Sequence, residues 1–156
     1  MLFRSNDEHV NDAVGVAKDT LENTWKNITA RERSTLLSTL GRLIEENYDV
    51  LASLEATDVG KPLRQAQADV KALARYMEFY AGAADKLHGD TIPYLEDYTV
   101  YTLREPHGVC AHIIPWNYPM QIIGRSVGAA LATGNTCILK PAEEACLTAL
   151  AFGALT

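Results

Sequence analysis

Charge distribution is what most restricts the fold of this chain. Of its thirty-four charged side chains, residues 106–156 hold only Arg125, Lys140, Glu143 and Glu144. The Val/Ile/Leu runs in that last third are short and do not alternate with polar residues. Runs of this kind read as strands covered on both faces, the pattern of a parallel sheet. The chain stops at Thr156, in what reads as the middle of a helix starting near Leu147, so the sequence is expected to be the beginning of a longer protein.

The remaining composition excludes several classes. With 47% hydrophobic and 22% charged residues, the chain reads as a folded soluble protein, with one domain as the default. A net charge of −6 opposes any non-specific grip on nucleic acid or on an anionic membrane. No apolar run reaches the roughly 18 residues of a membrane span, and Met1–Glu8 has no stretch of signal-peptide length, so a cytoplasmic location is expected. Cys110, Cys137 and Cys146 are odd in number and form no CxxC pair, which suits reduced, buried thiols better than disulfides or zinc. His9, His88, His107 and His112 show no metal spacing and read as solvated or locally bonded.

Before Gly89 the period is helical. Val10, Val14, Ala17, Leu21 and Trp25 share one face of a helix over 7–26. Thr29 and Glu32 make a capping box ahead of Leu36, Leu37, Leu40, Leu43 and Ile44. A short third helix restarts at Asn47 through Val50, Leu51 and Leu54, and Gly60-Lys61-Pro62 closes it with a glycine stop and a proline start. The fourth and longest helix spans about 62–87, with Val70, Leu73, Met77, Tyr80 and Ala84 on its apolar side. All four stripes read as packing surfaces. Residues 97–104 then carry aromatic and β-branched side chains on both faces, which predicts a long strand or hairpin arm covered either by its own chain or by another.

From Gly108 the order is strand (109–114), loop, helix (120–132), strand (136–139) and helix, with Gly134-Asn135 as the helix stop. This is a βαβ unit whose right-handed crossover brings both strand carboxyl ends, near Pro115 and Lys140, to one sheet edge, where ligands of open α/β sheets bind. Two prolines stiffen the loop Pro115-Trp116-Asn117-Tyr118-Pro119 around one amide. Asn117 is then either a preorganised donor to an oxygen that becomes negative during reaction or a turn residue bonded to its own backbone. At the second strand end, Lys140-Pro141-Ala142-Glu143 reads in two ways. Glu143 either stabilises the start of the next helix or accepts hydrogen bonds from ribose hydroxyls. There is no GxGxxG.

The run Glu105-Pro106-His107-Gly108-Val109-Cys110, then Ile113-Ile114-Pro115-Trp116-Asn117-Tyr118-Pro119, Ala130-Leu131-Ala132-Thr133-Gly134-Asn135 and Lys140-Pro141-Ala142-Glu143 resembles the NAD(P)-dependent aldehyde dehydrogenase family. The likeness extends upstream through Asp58-Val59-Gly60-Lys61-Pro62 and Tyr80-Ala81-Gly82. It implies an incomplete α/β fold: helices over 1–89 as part of a cofactor domain, a β-arm for oligomerisation over 90–107, and the first βαβ of a Rossmann-like parallel sheet over 108–156. It implies that Asn117 is the side-chain half of an oxyanion hole and that Ile113, Ile114, Pro115, Trp116 and Asn117 itself line the cofactor cleft. Lys140, Ala142 and Glu143 would then take the adenosine ribose. A carboxylate there repels a 2′-phosphate, so NAD is expected over NADP. An aldehyde substrate and a homo-oligomer are further implications. Many relatives place a lysine where Ser126 stands, so no role of that lysine transfers. The family's cysteine nucleophile and glutamate base fall beyond Thr156, and the chain alone is expected to be inactive. The alternative is a non-catalytic interaction module that keeps the scaffold. A further possibility inside the superfamily, an acyl-phosphate reductase, is disfavoured by the Trp116-Asn117 and Lys140-to-Glu143 motifs.

Overall fold

The computed structural model describes residues 5–156, and the absence of a leader read at Met1–Arg4 lies outside the described residues. Helix α1, Asp7–Asn23, opens on a reciprocal cap between Asn6 and His9. It stops short of the expected Lys26, and Trp25–Asn27 forms a separate 3-10 turn. The Asn23 amide donates there to the Asp19 carboxylate at 2.7 Å, one helical turn back. The Thr29–Glu32 capping box opens α2, Ala30–Glu46, as expected. Leu37, Leu40 and Ile44 of α2 are buried, whereas Leu36 is largely exposed.

Helix α3, Tyr48–Val59, ends on Gly60 at φ +75°, a left-handed conformation that favours glycine. Helix α4, Leu63–Ala83, ends four residues before the stripe predicts, because beyond Ala84 there is nothing left to bury: Leu87 is exposed. The arm is a hairpin with a minimal ladder, β1 (Thr91–Ile92) antiparallel to β2 (Val100–Tyr101), and not one long strand. At its base the Thr102 N–H donates to the Asp90 carbonyl at 2.9 Å, and a Cβ on Gly89 would sit 1.8 Å from the Thr102 carbonyl oxygen. Only glycine allows that approach.

Strand β3 (Val109–Ile113), helix α5 (Pro119–Ala132) and strand β4 (Thr136–Lys140) form the expected βαβ unit. The strands are parallel and in a register that pairs Val109 with Thr136 and Ile113 with Lys140. Gly134, at φ +88°, turns the chain. The buried Asn135 then sets the start of the pair: its side-chain oxygen accepts the Gly108 N–H at 2.9 Å, and its amide nitrogen donates to the Ala130 carbonyl. Helix α5 lies between the sheet and α4, in one core with Leu37, Leu73, Met77, Ile123 and Phe152. On the sheet's other side, α1 is tied to β4 by the Thr136 hydroxyl, which donates to the Ala17 carbonyl at 3.0 Å.

Helix α6, Leu147–Gly153, corrects one expectation, since it closes at Gly153 within the chain; Cys146 sits at its cap. His112 corrects another. Its Nε2 is buried without a hydrogen-bond partner among the described residues, and burial holds its pKa below the ordinary histidine value. No helix among the described residues is long and apolar enough to cross a membrane.

Candidate functional site

The β3–β4 register brings the two motifs together. Ile113 pairs with Lys140, and the ladder continues one step further as the Ile114 N–H donates to the Lys140 carbonyl at 2.9 Å. Both chains then turn away at the same edge, one into Pro115–Tyr118 and the other into Pro141 and Ala142. Ile113 and Trp116 present large apolar surfaces to solvent at this edge, 79% and 58% exposed. Ile114 does not, since its side chain is 2% exposed and belongs to the core. The expectation that its side chain lines a cleft is therefore corrected. A β-strand points successive side chains to opposite faces, so Ile113 and Ile114 cannot both face the cleft.

Lys140 and Glu143 are exposed, but Glu143 is not at a helix start. Ala142 and Ala145 form a bridge, and Glu143 and Glu144 occupy the tight turn between them. The α6 N-terminus takes its carboxylate from elsewhere, as the Leu147 N–H donates to the Asp58 carboxylate at 2.8 Å. That disposes of the helix-start reading of Glu143 and leaves its side chain on a turn at the sheet edge.

Asn117 is exposed, and among the described residues its side-chain amide makes no hydrogen bond, so it does not bond its own backbone. Its backbone is held instead. The Lys61 ammonium donates to the Asn117 carbonyl at 3.1 Å, to Glu55 Oε1 at 2.9 Å and to Asp69 Oδ2 at 2.7 Å. All three ammonium protons are thereby used. Glu55 and Asp69 are fully buried, and the Lys61 side chain is 9% exposed. The other carboxylate oxygens are also occupied, Glu55 Oε2 by the Thr148 hydroxyl at 2.8 Å and Asp69 Oδ1 by the Gln121 amide at 2.7 Å. The Tyr118 ring closes over the ammonium, 4.8 Å from Nζ to the ring centroid. Burial alone would push the Lys61 pKa down. The hydrogen bonds and charges of Asp69 and Glu55 outweigh it and hold the ammonium above the ordinary lysine value.

Gly60-Lys61-Pro62 read in the sequence as helix punctuation, and that reading missed the cluster. The available signal was two acids on apolar stripes: Glu55 follows Leu51 by four residues, and Asp69 lies between Ala66 and Leu73 on the buried face of α4. Charges at such positions must be paired.

The cysteines have no part in the site. Cys110 and Cys137 face each other in the β3–β4 register, and burial, with a smaller contribution from Cys110, pushes the Cys137 thiol up to about 12. Ser126, where many relatives place a lysine, donates its hydroxyl to the Ile122 carbonyl within α5.

Ile113 and Trp116 thus expose apolar surface at the same sheet edge as the turn that carries Glu143. The model of the aldehyde dehydrogenase family matches residues 2–156. The chain is 42% identical over 153 residues to aldehyde dehydrogenase [NAD(P)+] 2 of Saccharomyces cerevisiae, and 46% identical over 150 residues to the mitochondrial aldehyde dehydrogenase family 2 member B4 of Arabidopsis thaliana. These alignments cover 97% and 95% of this chain but 30% and 28% of the relatives, so the chain spans about 30% of the length of the curated proteins it matches. The NAD+ complex of aldehyde dehydrogenase from Bacillus cereus superposes with a TM-score of 0.94 at 42% identity, covering 97% of this chain and 31% of that one. Family model, relatives and fold agree: this chain belongs to the aldehyde dehydrogenase family.

Proposed function

We propose that the polypeptide carrying this chain oxidises an aldehyde to a carboxylic acid with NAD, and that these residues supply the cofactor cleft and one donor of its oxyanion hole. The observation that carries this reading is the Asn117 loop, whose amide is free to donate while its backbone is clamped at the sheet's carboxyl edge. A donor fixed before reaction stabilises a developing oxyanion without reorganising. Ile113, Pro115 and Trp116 form the apolar wall of the cleft, with Ile114 supplying only backbone. Lys140, Ala142 and Glu143 form the ribose end. Bound NAD supplies the hydride acceptor. Glu143 sets its preference, since a carboxylate accepts bonds from a free 2′-hydroxyl and repels a 2′-phosphate.

The nucleophile and general base come, in this reading, from sequence outside the 156 residues, as the family resemblance implies, and Cys137, with its thiol pushed up to about 12, yields almost no thiolate near neutrality. Residues 1–89, 90–107 and 108–156 serve as helical support, assembly arm and cofactor sheet. Exposed Tyr98, Tyr101 and Leu103 on the arm suit a homo-oligomer. Three free cysteines suit a reducing cytoplasm.

The test is Asn117→Ala in the intact polypeptide. We expect aldehyde-dependent NADH formation to fall roughly 10²–10³-fold in kcat, and the parent to bind NADP more weakly than NAD. An unchanged kcat removes Asn117 from the oxyanion hole.

A further inference from the structure

We propose that Lys61 is a positioning residue for the reaction: through its ammonium, the buried carboxylates of α3 and α4 lock the Asn117 loop in its donating geometry. The proposal rests on the reading of Asn117 given above, and it adds a residue that lies outside the cleft.

Lys61 sits in the link between α3 and α4, fifty-six positions before the loop it holds. Its bond is to the Asn117 carbonyl, so the loop backbone is fixed while the amide side chain stays free. The anchor under that bond is rigid. Each oxygen of Glu55 and Asp69 has a named partner, and those partners come from three further places: Lys61 itself, Gln121 in the first turn of α5, and Thr148 in α6. The loop is thus held against three helices, α3, α4 and α6, and against the helix it leads into. Tyr118, next to Asn117, screens the ammonium from solvent. Gln121 also passes the network outward, accepting from the Arg125 guanidinium, which in turn donates to the Tyr76 hydroxyl. A loop flanked by two prolines has few ways to move. One charge-assisted bond at its centre removes the remaining freedom, which is rotation of the Asn117 peptide.

A merely structural salt bridge would need no bond to the loop. Glu55 and Asp69 could be satisfied by a cation that stopped at the two of them. Instead the third proton is directed at the backbone of Asn117, the exposed residue whose amide is left unbonded.

Two variants of the intact polypeptide test this. Lys61→Met keeps the length of the side chain, and the triple change Glu55→Gln, Lys61→Met, Asp69→Asn removes all three charges, so that no buried carboxylate is left uncompensated. Hydrogen exchange of the peptide that carries 118–124, whose Ile122 N–H donates to the Tyr118 carbonyl where the loop enters α5, read by mass spectrometry, is expected to speed up at least tenfold in the triple variant while its melting temperature stays close to that of the parent. In the same variant kcat should fall at least tenfold with the KM for NAD unchanged. Unchanged exchange in a folded variant overturns the proposal, as does failure of both variants to fold, which would make Lys61 a general stabiliser. If the parent makes no NADH from aldehydes, the proposed function fails, and the exchange measurement still decides whether Lys61 holds the loop.

Discussion

Single residues in this chain owe their behaviour to what they face. Glu55 and Asp69 are acids in the middle of apolar stripes, and both are satisfied by a lysine that local sequence marks only as part of a helix stop and start. Asn117 and Glu143 were each ambiguous in the sequence. In each case the structure closes the local alternative, since Asn117 does not bond its own loop and Glu143 does not begin a helix. Cys137 shows environment acting on reactivity. Burial is the main cause of a thiol pushed up to about 12, with a smaller share from Cys110 across the ladder. We therefore expect the Cys137 peptide to resist iodoacetamide at pH 8 in the folded protein and to be alkylated after denaturation, as mass spectrometry of the digest would show. Rapid native-state labelling at Cys137 would mean that the β3–β4 face opens.

At the scale of elements, start signals were legible and lengths were not. The Thr29–Glu32 box, the Gly60 stop and the Gly134 turn all act where the sequence places them, because each satisfies backbone groups within a few residues. Helix α4 ends early because its continuation has no neighbour to bury against, which a stripe of spacings cannot reveal. The packing of α4 on α5 depends on two glycines that the sequence reading left without a role. A Cβ on Gly128 would lie 2.7 Å from the Tyr80 ring, and one on Gly124 would lie 2.7 Å from the Tyr76 ring. Each glycine lets a tyrosine of α4 lie flat on α5, with the Tyr80 hydroxyl donating to the Arg125 carbonyl. Gly128→Ala should accordingly destabilise the protein by about 1–3 kcal/mol through overpacking, although alanine is the better helix former by about 1 kcal/mol. A urea melt checks the sign: a rise in stability would show that the ring moves aside at no cost.

For the whole molecule, the arm and the sheet edge each carry several exposed large apolar side chains. Tyr98, Tyr101 and Leu103 are between 61% and 73% exposed on a hairpin whose ladder is two residues long on each side. Such a ladder is weak alone, and the Tyr94–Tyr98 edge-to-face contact adds only a local brace. If the arm is the assembly surface of the intact polypeptide, Tyr101→Glu with Leu103→Glu should weaken association at least tenfold without lowering the helical circular-dichroism signal. Light scattering coupled to size exclusion reads the outcome, and an unchanged mass across a dilution series would assign assembly to another surface.

The sequence by itself determined what depends on near neighbours along the chain: the helix caps, the glycine turns, the strand–helix–strand order and the parallel pairing of its two apolar runs. It also carried the motifs that mark the family. Only the tertiary structure decided which faces are covered and what each buried charge meets. It turned Ile114 into the core and Ile113 outward, set Glu143 on a turn, and joined Lys61 to a loop fifty-six residues away. Caps and turns are bonded within a few residues, so sequence spacing encodes them. The ion cluster beneath Asn117 exists only once α3, α4, α5 and α6 have packed together, and no spacing in the chain specifies that contact.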